Sequence, residues 1–254
     1  MLMPHRIFLA NVGSNASHQF CSPIFSGGKF EFIPIPEDRA LPEEHAVTYQ
    51  DLRSFYNSTL RLTKYIPERF WRWTAHNDPE FRTFTYGDNC EMNSRASSLK
   101  SMSIGDFLFF IARLQRWEKN IPTDEFGFYL IGFLEIEEVL RKVIARPENT
   151  ILPQFKENAH IRRGLGGPNL WDRFWVFRGS KNSRRFDTAL KVDRVVAQNI
   201  FRDANGLPWR WDCGRTDLQV IGSYTRSCRC VIDPENHEDT LRANMFWSYV
   251  NKHS

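Results

Sequence analysis

The sequence predicts a mixed α+β fold around a twisted antiparallel sheet, and three observations carry that prediction. Residues 107–114 and 126–137 are long aromatic and β-branched runs, of the kind that fill core strands. Turn formers bound them, with Gly105-Asp106 before the first and the polar stretch Lys119–Glu125 between the two. Shorter segments with apolar residues at helical spacing flank this hairpin. Phe107–Leu114 and Phe128–Glu137 are therefore expected to be neighbouring antiparallel strands.

In chain order, Ile7–Ala10 reads as a buried strand that runs into the small polar residues Asn11–His18, a composition suited to a strand mouth or a plain turn. Gly27-Gly28 opens a second strand, Lys29–Glu37, whose Pro34 and Pro36 cannot donate to a ladder and restrict it to an edge. Thr48–Leu62 reads as a helix on the spacing of Leu52, Phe55 and Thr59. His76–Asn89 is dense in turn formers and carboxylates around an aromatic strand fragment. Asn93 caps the short helix that leads to the hairpin. Beyond the hairpin, Arg173–Gly179 and Ala189–Val196 read as strands and Gln198–Asn205 as a short helix stopped by Gly206. Glu238–Asn251 reads as a final helix with Leu241, Met245 and Tyr249 along its packing stripe. Residues 1–254 are expected to form one compact domain, with no repeat and no linker.

Composition narrows the function. With 41% hydrophobic and 14% aromatic residues in 254, the chain can bury a full core. No apolar run has the ~20 residues of a membrane span or the pattern of a signal peptide, and the five cysteines lack a CxxC pair, so a cytoplasmic protein is expected. Residues 160–229 carry 14 Lys and Arg against 6 Asp, a local charge of +8 in a chain whose net charge is +4. Aromatics interleave with these charges, as phosphate contact and base stacking require, and as a solvated basic face over core aromatics would also produce. Neither GxGxxG nor GxxxxGK[ST], GxSxG or HExxH occurs, and Cys213, Cys228 and Cys230 with His237 fit no common structural zinc spacing. No metal and no cofactor is expected.

The order of helix, Gly-Asp, apolar strand and second strand resembles the PUA-like β-barrels, including their EVE and YTH relatives. That resemblance implies a twisted barrel core with peripheral helices and binding of a flipped, modified base. Asn11–His18, Phe30–Glu37, Asp78-Pro79-Glu80-Phe81 and Thr85-Tyr86-Gly87-Asp88 together resemble the nucleotide-modification-associated domain family, third type, over residues 5–195. Residues 196–254 then form a C-terminal elaboration. The family resemblance implies DNA carrying modified bases as the partner; the hydropathy predicts no membrane association, and no obligate protein partner is evident in the sequence. In size and character the chain is also similar to bacterial anti-phage DNA glycosylases that excise glucosylated hydroxymethylcytosine.

Cleaving an N-glycosidic bond needs a carboxylate near the sugar and donors for the departing base. Asp88 leads the candidates because it follows a Tyr-Gly turn at an expected strand end and sits inside the family motif, with Glu31 and Glu37 next. Asn11, Asn15 and Asn89 are the expected readers of the base edge, Tyr86 its stacking partner, and His18 a group that polarises a phosphate or leaving group. His160, Arg162, Arg163, Lys181, Arg184 and Arg185 are the expected contacts to the DNA backbone. Together these residues describe a glycosylase that flips and excises a modified cytosine, or a non-catalytic reader that grips the same base.

Overall fold

A computed structural model describes residues 5–15, 17–212 and 214–253. Its strands are β1 (Ile7–Val12), β2 (Ser22–Ile24), β3 (Ile35–Pro36), β4 (Ala75–His76), β5 (Thr85–Asp88), β6 (Phe107–Glu118), β7 (Ile121–Val143), β8 (Phe174–Gly179), β9 (Arg184–Val192) and β10 (Arg229–Ile232). The helices are α1 (Leu152–Phe155), α2 (Ala159–Leu165), α3 (Arg194–Ile200), α4 (Asp217–Tyr224) and α5 (His237–His253). No helix among the described residues is long and apolar enough to cross a membrane.

The expected hairpin is the centre of the fold. β6 and β7 pair antiparallel from Phe107↔Glu135 to Glu118↔Ile121. Only Lys119 and Asn120 make the turn, with φ of 49° and 67°, the left-handed pair that a two-residue hairpin requires. The rest of the polar stretch, 121–125, is the solvent-facing start of β7. Pro122 is tolerated there because β9 does not join β7 until Phe128.

β1 lies parallel to β6, and β1 and the Phe107–Leu114 part of β6 are largely buried on both faces. Phe8, Ala10, Leu108, Phe110 and Leu114 face one core, which includes Tyr86 and Phe177. Ile7, Leu9, Phe109 and Ile111 face another, closed by Ala197, Ile200, Phe246 and Val250 of α3 and α5. Burial on both sides is why these runs read as continuously apolar rather than alternating.

The sheet follows the order β10-β1-β6-β7-β8-β5, with β2 beside β6 and β9 beside β7. The described pairings leave this path open and close no barrel. Its ends are flanked by helices, with α2 against β5 and α5 against β10. Where β7 bends, Gly132 admits the backbone of β9. A Cβ there would stand 2.6 Å from the Arg184 carbonyl oxygen and 3.0 Å from the Arg185 Cα. Neither atom can swing aside, so Gly132→Ala is expected to destabilise the protein by about 1–3 kcal/mol, read as a lower urea midpoint at unchanged m.

Several expected elements take other forms. Thr48–Leu62 is not a helix; it holds the short 3₁₀ turn Tyr49–Asp51, and a second, Leu62–Tyr65, starts at its end. Side chains there compete with helical bonding: Asn57 Oδ1 accepts the Thr59 N–H at 3.0 Å, and Ser54 Oγ accepts the Asn57 N–H at 3.2 Å. Lys29–Glu37 is mostly irregular, reduced to a bridge at Phe30 and the two residues of β3. The strand expected at Ala189–Val196 ends at Val192, because Asp193 accepts the Val196 N–H at 2.9 Å and starts α3 there. That helix stops at Ile200, earlier than the expected Asn205. On α5 the buried face is Arg242, Ala243, Phe246 and Val250, while Leu241 and Met245 are exposed. Arg242 fixes this rotation, its Nη1 donating to the Ile200 carbonyl at 2.6 Å and the Val231 carbonyl at 3.0 Å.

Candidate functional site

A cleft of about 920 Å³ opens where β1, β3, β4, β5 and α2 converge. The chain leaves β1 through the Asn11–His18 loop along one wall, and β3 delivers Glu37 and Asp38. The β4 segment brings His76 and Asp78, and β5 brings Tyr86, Gly87 and Asp88. Helix α2 contributes His160 and Arg163. Asn158 sets the start of α2, its Oδ1 accepting the His160 N–H at 3.0 Å. Gly87 lets the His160 ring lie against β5, since a Cβ there would be 2.5 Å from the ring.

The cleft floor is a linked set of ionisable groups. Glu37 Oε2 lies 2.7 Å from His76 Nδ1, so that nitrogen carries the proton and donates it to the carboxylate. Burial opposes the Glu37 charge, yet the His76 hydrogen bond and the nearby His76 and Arg163 charges outweigh it and hold the carboxyl down at about 2. His76 Nε2 stands 4.0 Å and His160 Nε2 3.7 Å from Asp78 Oδ2. Asp78 Oδ2 accepts the Gly87 N–H at 2.7 Å, while Asp78 Oδ1 is buried without a hydrogen-bond partner. Burial pushes the Asp78 carboxyl well up. It pushes His160 well down, helped by the neighbouring His76 and Arg163 charges. Arg163 Nη2 is 2.8 Å from His160 Nδ1, and the guanidinium lies within 3.9 Å of the Glu37, Asp38 and Asp172 carboxylates.

Asp88 is the half-buried carboxylate of the wall. Tyr86 Oη donates to its Oδ2 at 3.1 Å and Asn93 Nδ2 to its Oδ1 at 3.3 Å. Burial pushes its pKa up despite both bonds. It ends β5, paired with Trp175 of β8, rather than following a turn.

Of the residues expected at the site, Asn11, Asn15, His18, Glu37, Tyr86, Asp88, Asn89, His160 and Arg163 line this cleft. Glu31 does not: it is buried under the 54–57 loop, accepting from the Ser54 hydroxyl and, at 3.0 Å, from the Phe55 N–H. The amides partly serve the walls themselves. Asn89 Nδ2 donates to the Asp172 carbonyl at 3.0 Å and its Oδ1 accepts the Met92 N–H at 3.1 Å. Asn11 Nδ2 donates to Thr225 Oγ1 at 2.9 Å. Asn15 Oδ1 accepts the Ser17 N–H at 3.0 Å, and the Asn15 N–H donates to His18 Nδ1 at 3.0 Å. Tyr86 is buried with its ring against Phe110, which removes the flat face that base stacking would need.

The expected DNA-backbone set disperses. His160 and Arg163 are buried in the cleft floor. Arg162 pairs with Glu157 outside the cleft. Lys181 lines a separate depression with Arg82 and Arg178. Arg184 lies over the rings of Phe133 and Phe186, and Arg185 is buried between those of Phe30 and Phe55. Most of the aromatics interleaved with this charge, including Phe174, Trp175, Phe177, Phe186, Phe201 and Trp209, are core residues.

The exposed cations that line the cleft are Arg39, Arg95 and Arg226, none of which sequence reasoning picked out. It also passed over His76 and Asp78, which a tight turn brings together, the Asp78 N–H donating to the His76 carbonyl at 2.8 Å. Cys213 and the His237 side chain, part of the zinc spacing considered from the sequence, lie outside the described residues.

Neither the curated proteins nor the solved structures contain a match to this chain. A family model, however, matches residues 6–207, from β1 through α3 and the turn at Gly206, somewhat further than the motifs suggested. That span includes every cleft residue except Gly222, Arg226 and Cys228. On this match the chain belongs to the family described as nucleotide modification associated domain 3.

Proposed function

We propose that this protein is a DNA glycosylase that flips a modified cytosine into the cleft and hydrolyses its N-glycosidic bond. The observation that carries the reading is the meeting, within the family-matched span, of the Asp88 carboxylate with a polar cleft of about 920 Å³. That volume suits a flipped nucleotide carrying a bulky substituent, because ligand pockets fall at ~300–1,000 Å³. Extruding the base costs a few kcal/mol, which contacts to the base and the backbone must offset. Arg39, Arg95 and Arg226, exposed cations of the cleft lining, would meet the phosphates.

In the reaction, the bond between C1′ of the sugar and the base nitrogen breaks, and its electron pair leaves with the base. Asp88 stabilises the positive charge that develops on the sugar and takes a proton from the attacking water, whose oxygen bonds to C1′. The proton that Asp88 takes from water passes on to the departing base directly or through solvent, which returns Asp88 to its carboxylate, and the DNA keeps an abasic site. Glu37 is occupied with His76 and serves as a positioning residue. Lys29 does not line the cleft, which makes water the nucleophile.

The test is to incubate the purified chain with duplexes bearing cytosine, hydroxymethylcytosine or glucosylated hydroxymethylcytosine and to assay for abasic sites. Strand cleavage after mild alkali with a modified duplex, and none with plain cytosine, is the expected result. Tight binding to a modified duplex without any abasic product would replace the enzyme with a reader. A covalent adduct trapped by borohydride would replace water with an amine.

A further inference from the structure

We propose that His76, Asp78 and His160 form a binding site for one divalent transition-metal ion in the cleft floor. Among the described residues they form the group whose potential ligand atoms all lie within 4.8 Å of one another. The imidazole Nε2 atoms stand 4.0 and 3.7 Å from Asp78 Oδ2. These separations exceed hydrogen-bond range and match the ~3–4 Å between atoms that share one ion at ~2.0–2.2 Å. Three polar groups thus face a common gap without bonding across it.

A second observation points to the same ligand. Asp78 is only 6% exposed, and its Oδ1 has no hydrogen-bond partner. A buried carboxylate with one oxygen unpaired is costly, and a cation bound at its Oδ2, the oxygen that faces both histidines, would offset the buried charge. The surroundings are also those of a metal site. Glu37 accepts the Nδ1 proton of His76 at 2.7 Å, which fixes the ring and makes Nε2 the nitrogen that a metal would take in place of a proton. The two rings meet edge to face, with centroids 4.7 Å apart.

His160 Nδ1 contacts Arg163 at 2.8 Å, whereas a metal on Nε2 requires the His160 proton on Nδ1. Arg163 has the Glu37, Asp38 and Asp172 carboxylates at 3.5–3.9 Å as alternative partners, so the exchange strands no charge. Two imidazoles and one carboxylate suit zinc, iron or manganese better than magnesium or calcium, which favour all-oxygen sites. Three protein ligands beside an open cleft leave coordination positions for water or a substrate oxygen. The proposal is independent of the glycosylase reading, since neither requires the other.

The probe is Co²⁺, added to the full chain after treatment with a chelator. One equivalent is expected to bind, with d–d absorption in the visible and no intense sulfur-to-metal band. Wild type should also show two exchangeable, strongly shifted imidazole N–H protons by NMR, one from each histidine. Glu37→Gln is expected to weaken binding about 10- to 100-fold. His76→Gln with His160→Gln should abolish the spectrum while the far-UV circular dichroism persists. Non-stoichiometric binding, a sulfur-to-metal band, or fewer than two shifted imidazole protons on wild type would overturn the proposal. That last readout needs no variant to fold.

Discussion

Asp88→Asn is expected to lower single-turnover excision from a modified-cytosine duplex by about 100-fold or more while leaving DNA affinity within about twofold. The substitution keeps the shape of the side chain and removes its charge. It also keeps its place in the wall. Asn93 Nδ2 can still donate to the remaining amide oxygen, as it does to Oδ1 at 3.3 Å, and the Tyr86 hydroxyl, now 3.1 Å from Oδ2, can rotate to accept from the new NH₂. A loss of rate without a loss of binding would locate Asp88 in the transition state rather than in the grip on DNA. The measurement pairs abasic-site formation at saturating enzyme with a gel-shift titration of the same duplex. If the variant excises at the wild-type rate, the assignment fails and Glu37 becomes the residue to test, whereas Glu31 is removed from the question by its burial under the 54–57 loop.

How far the sequence reports this protein depends on how local each feature is. The β6–β7 hairpin is legible because its information lies within its own two runs. Asn93 is legible as a cap because a cap needs only its neighbours, and its Oδ1 accepts the Arg95 N–H at 3.1 Å. The 48–62 segment misleads by the same locality: apolar spacing suggests a helix, but hydrogen bonds from Ser54 and Asn57 to nearby backbone hold it in turns. The cleft is partly legible through the motif that contains Tyr86 and Asp88. Its floor is not, because the role of His76 arises from Glu37, 39 residues away, and that of Asp78 from Gly87 and His160. A His-x-Asp pair in a loop has no special meaning until another part of the chain folds against it.

Charge shows the same limit most sharply at Arg184 and Arg185, which look equivalent in the sequence and are opposite in the fold. Adjacent residues on a strand point to opposite faces. Arg184 is exposed, whereas Arg185 is 9% exposed, its guanidinium 3.9 Å from the Phe30 ring centroid and 3.8 Å from that of Phe55. Arg185 Nη2 donates to the Phe30 carbonyl at 2.5 Å and Nη1 to the Phe186 carbonyl at 3.1 Å. Arg185→Ala removes the cation–π contacts to Phe30, Phe55 and Tyr56 and two charge-assisted hydrogen bonds, and it leaves a buried carbonyl without its donor. The expected cost is about 3 kcal/mol or more, a fall in Tm of roughly 6–12 °C for a chain of this size. Arg184→Ala is expected to shift Tm by only about 1–3 °C. Thermal unfolding of the two single variants, followed by circular dichroism, decides between a cation that holds β9 to the Phe30 segment and one that serves the surface. An Arg185→Ala melting temperature equal to that of wild type would mean that the stack around Arg185 contributes nothing to stability, and Arg185 would return to the candidates for phosphate contact. A large gap would mean that an Arg184/Arg185 charge reversal reports on folding, so that any measurement of DNA affinity should instead vary Arg39, Arg95 and Arg226 of the cleft lining.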